Sequence, residues 1–415
     1  MKDIMAGIDL HSNNLMLALV DLNGTRLFHK RLPCVWPRIE QALAPYQSRI
    51  KTVAVESTFN WYWLVDGLQE RGYDTVLANP AGIQQYEGIK HTDDEHDAFW
   101  LAEMLRLNIL PTGHIYDRTL RPVRDLLRRR LSLVRKRTAL ILTLKSLHHR
   151  MHGSAWPLAE IKRSTVDKVW RRFDQPADQL LAREARRLIQ EMDGSIQRLE
   201  EHILQQTGPM PEYQYLLSIP GVGQTLGMTI ALETGDPTRF ASPGEFASYC
   251  RTVRSERSSN GRKKGENNSK CGNQYLSWAF VEAAHCAIRY DSQAKRFYER
   301  KKAKTNTMVA TKALACKLAK AAWHIMTRKV VYDGSRVFGP ARAVSEHRTV
   351  SFPLGTEVEE GSNKKADAKN ASPVESSQLS DQAALGLHSC RALSSTGKAK
   401  SSRRRSSTKS KNLKL

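Results

Sequence analysis

Apolar and polar positions divide the N-terminal part of the chain into strands and helices. Residues 4–10 are a near-continuous apolar run that closes on an acid, Asp9, and read as a buried strand. Residues 14–20 repeat the pattern. Asn23-Gly24 is a strong hairpin signal, and residues 25–31 return as a third strand. Residues 37–44 look helical. Residues 52–56 are a short apolar strand that again ends on an acid, Glu56. A helix over 60–71, stopped by Gly72, leads to a fifth core strand at 75–78, closed by Asn79-Pro80. Three antiparallel strands followed by alternating helices and strands predict a mixed sheet of α/β type.

Farther along, the period becomes that of long helices. Over 118–152, Leu120, Leu127, Val134 and Ile141 recur every seven residues, as do Leu126, Leu133, Leu140 and Leu147. Two adjacent heptad rows make a wide apolar stripe, suited to a bundle or coiled coil. Pro122 is tolerated because it falls near the first turn. Pro157 and Pro176 bracket a mixed segment containing Trp170-Arg171-Arg172. A second helix over 177–206 has its own seam: Ile189, Met192, Ile196, Leu199 and Ile203. Its acids Glu184, Glu191, Asp193, Glu200 and Glu201 can balance Arg128-Arg129-Arg130 and Arg135-Lys136-Arg137 of the first helix. Phosphate contact is the alternative role for those cations.

Ile219-Pro220-Gly221-Val222-Gly223, followed by a helical stretch, has the form of a helix-hairpin-helix turn. There the glycines let backbone N–H groups approach a phosphate; a plain helix–helix turn fits the same residues. Residues 255–273 are polar, glycine-spaced and cationic, which predicts a mobile loop backed by helices over 275–290 and 310–327. No aromatic residue follows Phe352, and Ser, Lys, Arg and Ala dominate the rest, with Arg403-Arg404-Arg405 among them. Such a segment buries too little apolar area to fold, so a disordered basic tail is expected.

The chain has 415 residues, a length for two or three domains, and its 40% hydrophobic content is enough for real cores. A net charge of +23 points to a polyanionic partner, nucleic acid before an anionic membrane surface. No apolar stretch approaches the roughly 20 residues that span a bilayer. Met1-Lys2-Asp3-Ile4 leads straight into a strand, without a signal-peptide pattern. The six cysteines, at 34, 250, 271, 286, 316 and 390, form no C-x-x-C pair. Neither a zinc site nor a disulfide framework is indicated, and a reducing cytoplasmic setting is expected.

Candidate chemistry centres on His91-Thr92-Asp93-Asp94-Glu95-His96-Asp97, four carboxylates in seven residues at the start of a helical run. Asp94 and Asp97 share one helix face. Like charges held that close repel unless a cation sits between them, and Mg2+ takes carboxylate oxygens. Taken alone, an acidic helix start favoured by the macrodipole accounts for the same residues. Asp9 and Glu56, however, lie at strand ends, where open α/β sheets place their sites. Four converging acids hold two Mg2+ ions about 4 Å apart, clamping the attacking and leaving oxygens of a phosphodiester. The order Asp, Glu, Asp-x-x-Asp on this strand pattern resembles the RNase H/RuvC-like nuclease fold. In the polar loop, a serine beside Gly and among Arg and Lys has the backbone freedom and positive surroundings of a phosphate-attacking nucleophile. Ser-Asn-Gly is also an ordinary turn.

Five segments together carry a family resemblance. They are Gly7-Ile8-Asp9-Leu10-His11, Val55-Glu56-Ser57-Thr58, the run from Thr92 to Ala98, Ile219-Pro220-Gly221-Val222-Gly223, and Ser259-Asn260-Gly261 with Ser269-Lys270-x-Gly272-Asn273. Over residues 3–330 the chain resembles the DEDD transposases of bacterial insertion sequences, the bridge-RNA-guided serine recombinases. The resemblance implies that Asp9, Glu56, Asp94 and Asp97 are a metal-binding tetrad for Mg2+, with two ions expected. It implies a catalytic serine in the C-terminal loop. Spacing back from Lys270 makes this Ser259, with Ser258 the alternative; Asp93 is likewise the alternative to Asp94. The implied partners are double-stranded DNA at the element ends and target, a structured guide RNA from the element, and further copies of the chain in a dimer or tetramer. No membrane is involved, and the setting is the bacterial cytoplasm, at the nucleoid. The expected architecture is an α/β RNase H/RuvC-like domain at 1–115, a helical coiled-coil region at 116–207, a mainly α domain with the helix-hairpin-helix-like segment and serine loop at 208–346, and the disordered basic tail at 347–415. Two rival readings remain: a RuvC/RNase H-like Mg-dependent junction resolvase that uses water, and a non-catalytic nucleic-acid-binding protein.

Overall fold

The computed structural model describes residues 2–83, 93–253, 257–265 and 271–339. His91, Thr92, Ser269, Lys270 and the expected tail lie outside the described residues. β1 (Ile4–Leu10), β2 (Asn14–Asp21) and β3 (Arg26–Pro33) form an antiparallel meander. The β2–β3 turn holds Asn23-Gly24, and Gly24 takes φ +87°. α1 (Trp36–Leu43) leads to β4 (Ile50–Glu56), parallel to β1, and α2 (Tyr62–Glu70) leads to β5 (Thr75–Ala78), parallel to β4. After α3 (Pro80–Ile83) and α4 (Asp94–Arg106), the two-residue β6 (Thr112–Gly113) adds antiparallel to β5. The sheet order is β3-β2-β1-β4-β5-β6. The first five strands lie within two residues of their expected bounds; β6 is too short to show a period.

β1 is buried along its whole length, one row of side chains to each face. Ile4, Ala6, Ile8 and Leu10 join Val53 and Val55 in a core with Ile39, Leu43, Leu64, Val65 and Leu68 of α1 and α2. On the opposite face Met16, Ala18 and Val20 pack under Ala98, Phe99 and Ala102 of α4. Gly7 sets how closely α4 lies on the sheet. A Cβ at that position would stand 2.0 Å from the Ala98 carbonyl oxygen and 2.7 Å from the Ala102 nitrogen. The strand glycine thus marks a backbone passing at close range, and it draws the start of α4 toward Asp9.

α5 (Leu120–His152) and α8 (Pro176–Thr207) form an antiparallel pair, with α6 (Leu158–Arg163) and α7 (Val166–Trp170) between them in the chain. Leu127, Leu131, Ile141, Leu144 and Leu147 are buried on α5, while Leu126, Leu133 and Leu140 of the second heptad row are only half-buried. Arg130 pairs with Glu200 and Arg137 with Asp193, each at 2.5 Å. Arg129, Arg135 and Lys136 stay exposed. The acids of the second helix therefore answer some of the cations of the first and not others.

α9 (Pro211–Leu216), α10 (Gln224–Thr234), α11 (Pro243–Tyr249), the hairpin β7 (Arg257–Ser259) and β8 (Arg262–Gly265), α12 (Gln274–Tyr290), α13 (Ser292–Lys304), α14 (Thr307–Arg328) and α15 (Gly334–Phe338) complete the described chain. α10 is buried at every position from Gly227 to Thr234. Their shared core is rich in alanine: Ala279, Ala283, Ala284 and Ala287 on α12, Ala315, Ala319 and Ala322 on α14. Val123, Leu127 and Ile203 root the α5–α8 pair in the same core. Gly221 has φ +90°, and a Cβ there would lie 2.7 Å from the Ala287 nitrogen and 2.8 Å from the Ala283 carbonyl oxygen. Gly221 is therefore taken up by packing on α12. Gly223 is exposed, with open space around it. Among the described residues, no helix is long and apolar enough to cross a membrane.

Candidate active site

Sheet register lines up the acidic groups. Asp9 is paired with Met16 on β2, and Met16 with Arg31 on β3. On the other side Ile8 pairs with Val55, so Glu56 ends β4 beside Asp9. α4 begins over this row. Asp93 is its N-cap and accepts from the His96 backbone N–H at 2.9 Å, which commits that side chain to capping. Asp94 turns to the sheet instead, where Arg31 Nη2 donates to its Oδ2 at 2.6 Å. His11 Nε2 stands 3.2 Å from Asp9 Oδ2 and 3.2 Å from Asp94 Oδ2. Glu56 is close enough to Asp9 and Asp97 to feel both their charges. Asp9 and Glu56 thus lie at one end of the sheet with Asp94 turned onto it, while Asp97 stands on α4 near enough for its charge to act on Glu56.

Their electrostatics diverge. Burial, then the hydrogen bond and charge of Asp9 and the charge of Asp97, push the Glu56 carboxyl up to about 8, so it keeps its proton at neutral pH. The hydrogen bond from Arg31, with the charges of His11 and Arg31 outweighing a little desolvation, holds Asp94 below the usual carboxylate range. Asp9 is 4% exposed. Carboxylates this close, one of them forced to stay neutral, are a setting in which a bound cation is favoured. His11 Nε2 sharpens the point. It is buried and lies between two carboxylates, yet neither contact has hydrogen-bond geometry. One ligand atom each from Asp9, His11 and Asp94 lie within 4.8 Å of one another. Carboxylate oxygens suit a hard divalent cation, and the imidazole adds a nitrogen donor.

His11 and Arg31 were not among the sequence-derived candidates. His11 follows Asp9 by two residues, the spacing that puts both on one strand face. That signal was present. Arg31 reaches the site only through the register of β1, β2 and β3, which no local pattern supplies.

Residues 257–265, expected in a loop, form the β7–β8 hairpin. Asn260 and Gly261 both take positive φ, 50° and 70°, as a two-residue type I′ turn requires. Ser259 is exposed and pairs with Arg262 on the last rung before the turn. The flanking segments are tied together. Arg251 donates to the carbonyls of Cys271 at 2.9 Å and Gly272 at 2.8 Å, and the Asn273 N–H donates to the Tyr249 carbonyl at 2.6 Å. Asn273 accepts from the first N–H groups of α12 and donates from Nδ2 to Glu233 Oε2 at 2.7 Å. Cys271 Sγ lies 3.6 Å from the Ala81 carbonyl oxygen in α3, just past Ala78, the partner of Glu56 across β4 and β5. Cys271, which follows the hairpin in the chain, therefore touches the acid-bearing end of the sheet.

An acid cluster on a mixed α/β sheet, joined to a helical domain that presents a serine hairpin, suits a DNA transposase. Comparison with known proteins agrees. Residues 6–152 match the IS110-type DEDD transposase family, and residues 213–299 match the Transposase IS116/IS110/IS902 family. The chain belongs to the IS110/IS116 family of transposases. It is 26% identical over 294 residues to a probable family 20 transposase of Pseudomonas aeruginosa, covering 68% of this chain and 85% of that protein. It is 25% identical over 345 residues to the transposase for insertion sequence element IS1328 of Yersinia enterocolitica, covering 79% and 98%. The transposase for insertion sequence element IS1111A of Coxiella burnetii is 24% identical over 359 residues, covering 80% and 92%.

Proposed function

We propose that this transposase recombines double-stranded DNA, at the ends of its element and at a target, under guidance from a structured RNA of the same element. The observation that carries the reading is the acid cluster: Glu56 ends β4 beside Asp9, Arg31 donates to Asp94, and His11 Nε2 stands 3.2 Å from both Asp9 and Asp94. Asp9, Glu56, Asp94 and Asp97 would hold Mg2+, with two ions expected from the count of carboxylates, and His11 would be a further donor. Bound metal supplies neutralisation of charge on the scissile phosphate. Ser259 Oγ attacks the phosphorus and gives up its proton. The departing DNA oxygen takes a proton and leaves a phosphoserine–DNA link. A hydroxyl of a second strand then attacks the same phosphorus and releases the serine. One phosphodiester is exchanged for another, so no water or external energy source enters. Lys263, Lys264 and Lys270 are candidates for neutralising the phosphate.

The four-part division at 1–115, 116–207, 208–346 and 347–415 goes with this reading, as do a dimer or tetramer built along the α5–α8 seam and a place at the bacterial nucleoid. The half-buried row Leu126, Leu133 and Leu140 supports the seam. The test is to trap a covalent protein–DNA adduct on a nicked substrate with full-length protein and Mg2+. The adduct is expected in wild type, lost in Ser259→Ala, and kept in Ser258→Ala. Asp94→Ala and Asp97→Ala should abolish strand exchange with binding intact, since Arg and Lys carry the polyanion contacts. Recombination by both serine variants would replace the covalent mechanism with the water-using nuclease. Mixing Asp94→Ala with Ser259→Ala asks whether acids and serine come from different protomers: recovered activity means a shared site.

A further inference from the structure

The loop between Glu56 and α2 presents an aromatic ring to solvent at the rim of the acid cluster. Phe59 is 84% exposed, the most exposed large apolar side chain among the described residues. Single exposed apolar residues are common on protein surfaces, so exposure alone decides nothing. The way this one is held does. On one side, the Ser57 N–H donates to the Ala78 carbonyl at 3.1 Å and the Thr58 N–H to the Glu56 carbonyl at 2.9 Å. On the other, Asn60 Nδ2 donates to the His11 carbonyl at 2.9 Å, and Thr58 Oγ1 donates to Asn60 Oδ1 at 2.9 Å. Trp61, the next residue, is buried beneath the Arg121 guanidinium, 4.7 Å from the ring centroid. The loop is thus fixed to the residue whose imidazole stands between Asp9 and Asp94, and the ring it carries is left outside. Val35 is half exposed, and the neighbouring Cys34 N–H bonds to the Asn13 carbonyl in the β1–β2 turn.

We propose that Phe59 is a positioning residue that stacks on an unpaired DNA base next to the phosphodiester brought to the acids. This rests on the reading of the cluster as the strand-exchange site. A phosphodiester over Asp9 and Asp94 places its flanking nucleotides at the rim, and a base has an apolar face that gains from leaving water against an aromatic ring. The contact reads no sequence, because every base has such a face. Its role is to keep the backbone from sliding across the acids while strands are exchanged.

The test uses full-length protein and a gapped DNA duplex carrying 5-iododeoxyuridine in the gap, with Ca2+ in place of Mg2+ so that binding is read without cleavage. Ultraviolet cross-linking followed by peptide mapping should place the adduct on the peptide containing Phe59. Phe59→Ala should lose the adduct and weaken binding roughly 5- to 150-fold, the range for removing one base–aromatic stack. Phe59→Trp should restore both. The log–log salt slope should not change in Phe59→Ala, because every phosphate interaction remains in place. Wild-type affinity in Phe59→Ala, or an adduct only on other peptides, would overturn the proposal. Because cleavage is absent, such a failure leaves the acid-cluster reading standing. Failure of that reading would show instead as Asp94→Ala protein that still exchanges strands.

Discussion

Glu233 gives the sharpest quantitative test of how the molecule is held together. It is fully buried in α10 and accepts from Arg124 Nε at 3.0 Å, Arg128 Nε at 2.6 Å, Arg128 Nη2 at 2.9 Å and Asn273 Nδ2 at 2.7 Å. Truncating it to Ala strands two guanidiniums. Arg124, with 10% of its side chain exposed, cannot reach water, whereas Arg128, at 31%, reaches it in part. Removing one partner of a buried ion pair costs about 3–5 kcal/mol, most of it the charge left behind. Glu233→Ala should therefore lose stability in that range in urea unfolding, followed through the C-terminal helices. Arg128→Met should lose less. The decisive variant is Glu233→Ala with Arg124→Met. If the penalty is the stranded charge, removing that charge should recover part of it, and the double variant should be more stable than Glu233→Ala alone. A double variant that loses the sum of the two single effects would refute the reasoning. Acid supplies a second check. Burial works to raise the Glu233 pKa, but the hydrogen bond from Arg128 and the charges of Arg124 and Arg128 carry it below its ordinary 4.5. A depressed folded pKa contributes stability above the unfolded value and loses it as pH falls through the folded one. Wild type should destabilise steeply below about pH 4.5, and Glu233→Ala less steeply.

Gly7→Ala should force α4 off β1, costing about 1–3 kcal/mol as overpacking does, and should lower strand exchange far more than DNA binding; wild-type values of both would sink the packing argument. The Glu56 carboxyl has its pKa raised from 4.5 to about 8 on folding. Between those values the folded state holds the extra proton, so the melting temperature of metal-free protein should fall as pH rises through that window. Mg2+ should raise the melting temperature more at about pH 8 than at about pH 6, and Glu56→Gln should remove that difference. Deleting residues from 347 on should leave strand exchange in place and lower the log–log salt slope of DNA binding by about 0.9 for each phosphate that the tail neutralises; an unchanged slope means the tail touches no nucleic acid.

The sheet was legible in the sequence because its strands are buried on schedule. Apolar runs at β1, β4 and β5 and the Asn23-Gly24 turn fix five strands without tertiary knowledge, and two of those runs deliver Asp9 and Glu56 as their last polar groups. The choice between Asp93 and Asp94 was not legible, since two adjacent acids at a helix start look alike until one is seen to cap the helix. The serine hairpin was missed for a more instructive reason. It turns on Asn260-Gly261, the same dipeptide that announced the first hairpin. There the flanks are apolar strands; here they are Arg257-Ser258-Ser259 and Arg262-Lys263-Lys264, with no alternation to read. Turn chemistry, not a core, specifies that hairpin.

Glu233 was not legible either, though a lone carboxylate in the apolar run of α10 is itself a signal that something cationic must meet it. Its partners lie on α5, more than a hundred residues back in the chain, where the arginine face had been set against the acids of α8 or against phosphate. Arg128 serves neither. It joins Arg124 in a node that reaches from α5, inside the first matched family region at 6–152, to Glu233 and Asn273, inside the second at 213–299. Asn273 in turn caps the start of α12, which follows the hairpin in the chain. One buried carboxylate therefore ties the start of α12 to the helix that leaves the acid-bearing domain. A substitution there should loosen the start of α12 without touching Ser259 or any of the four acids.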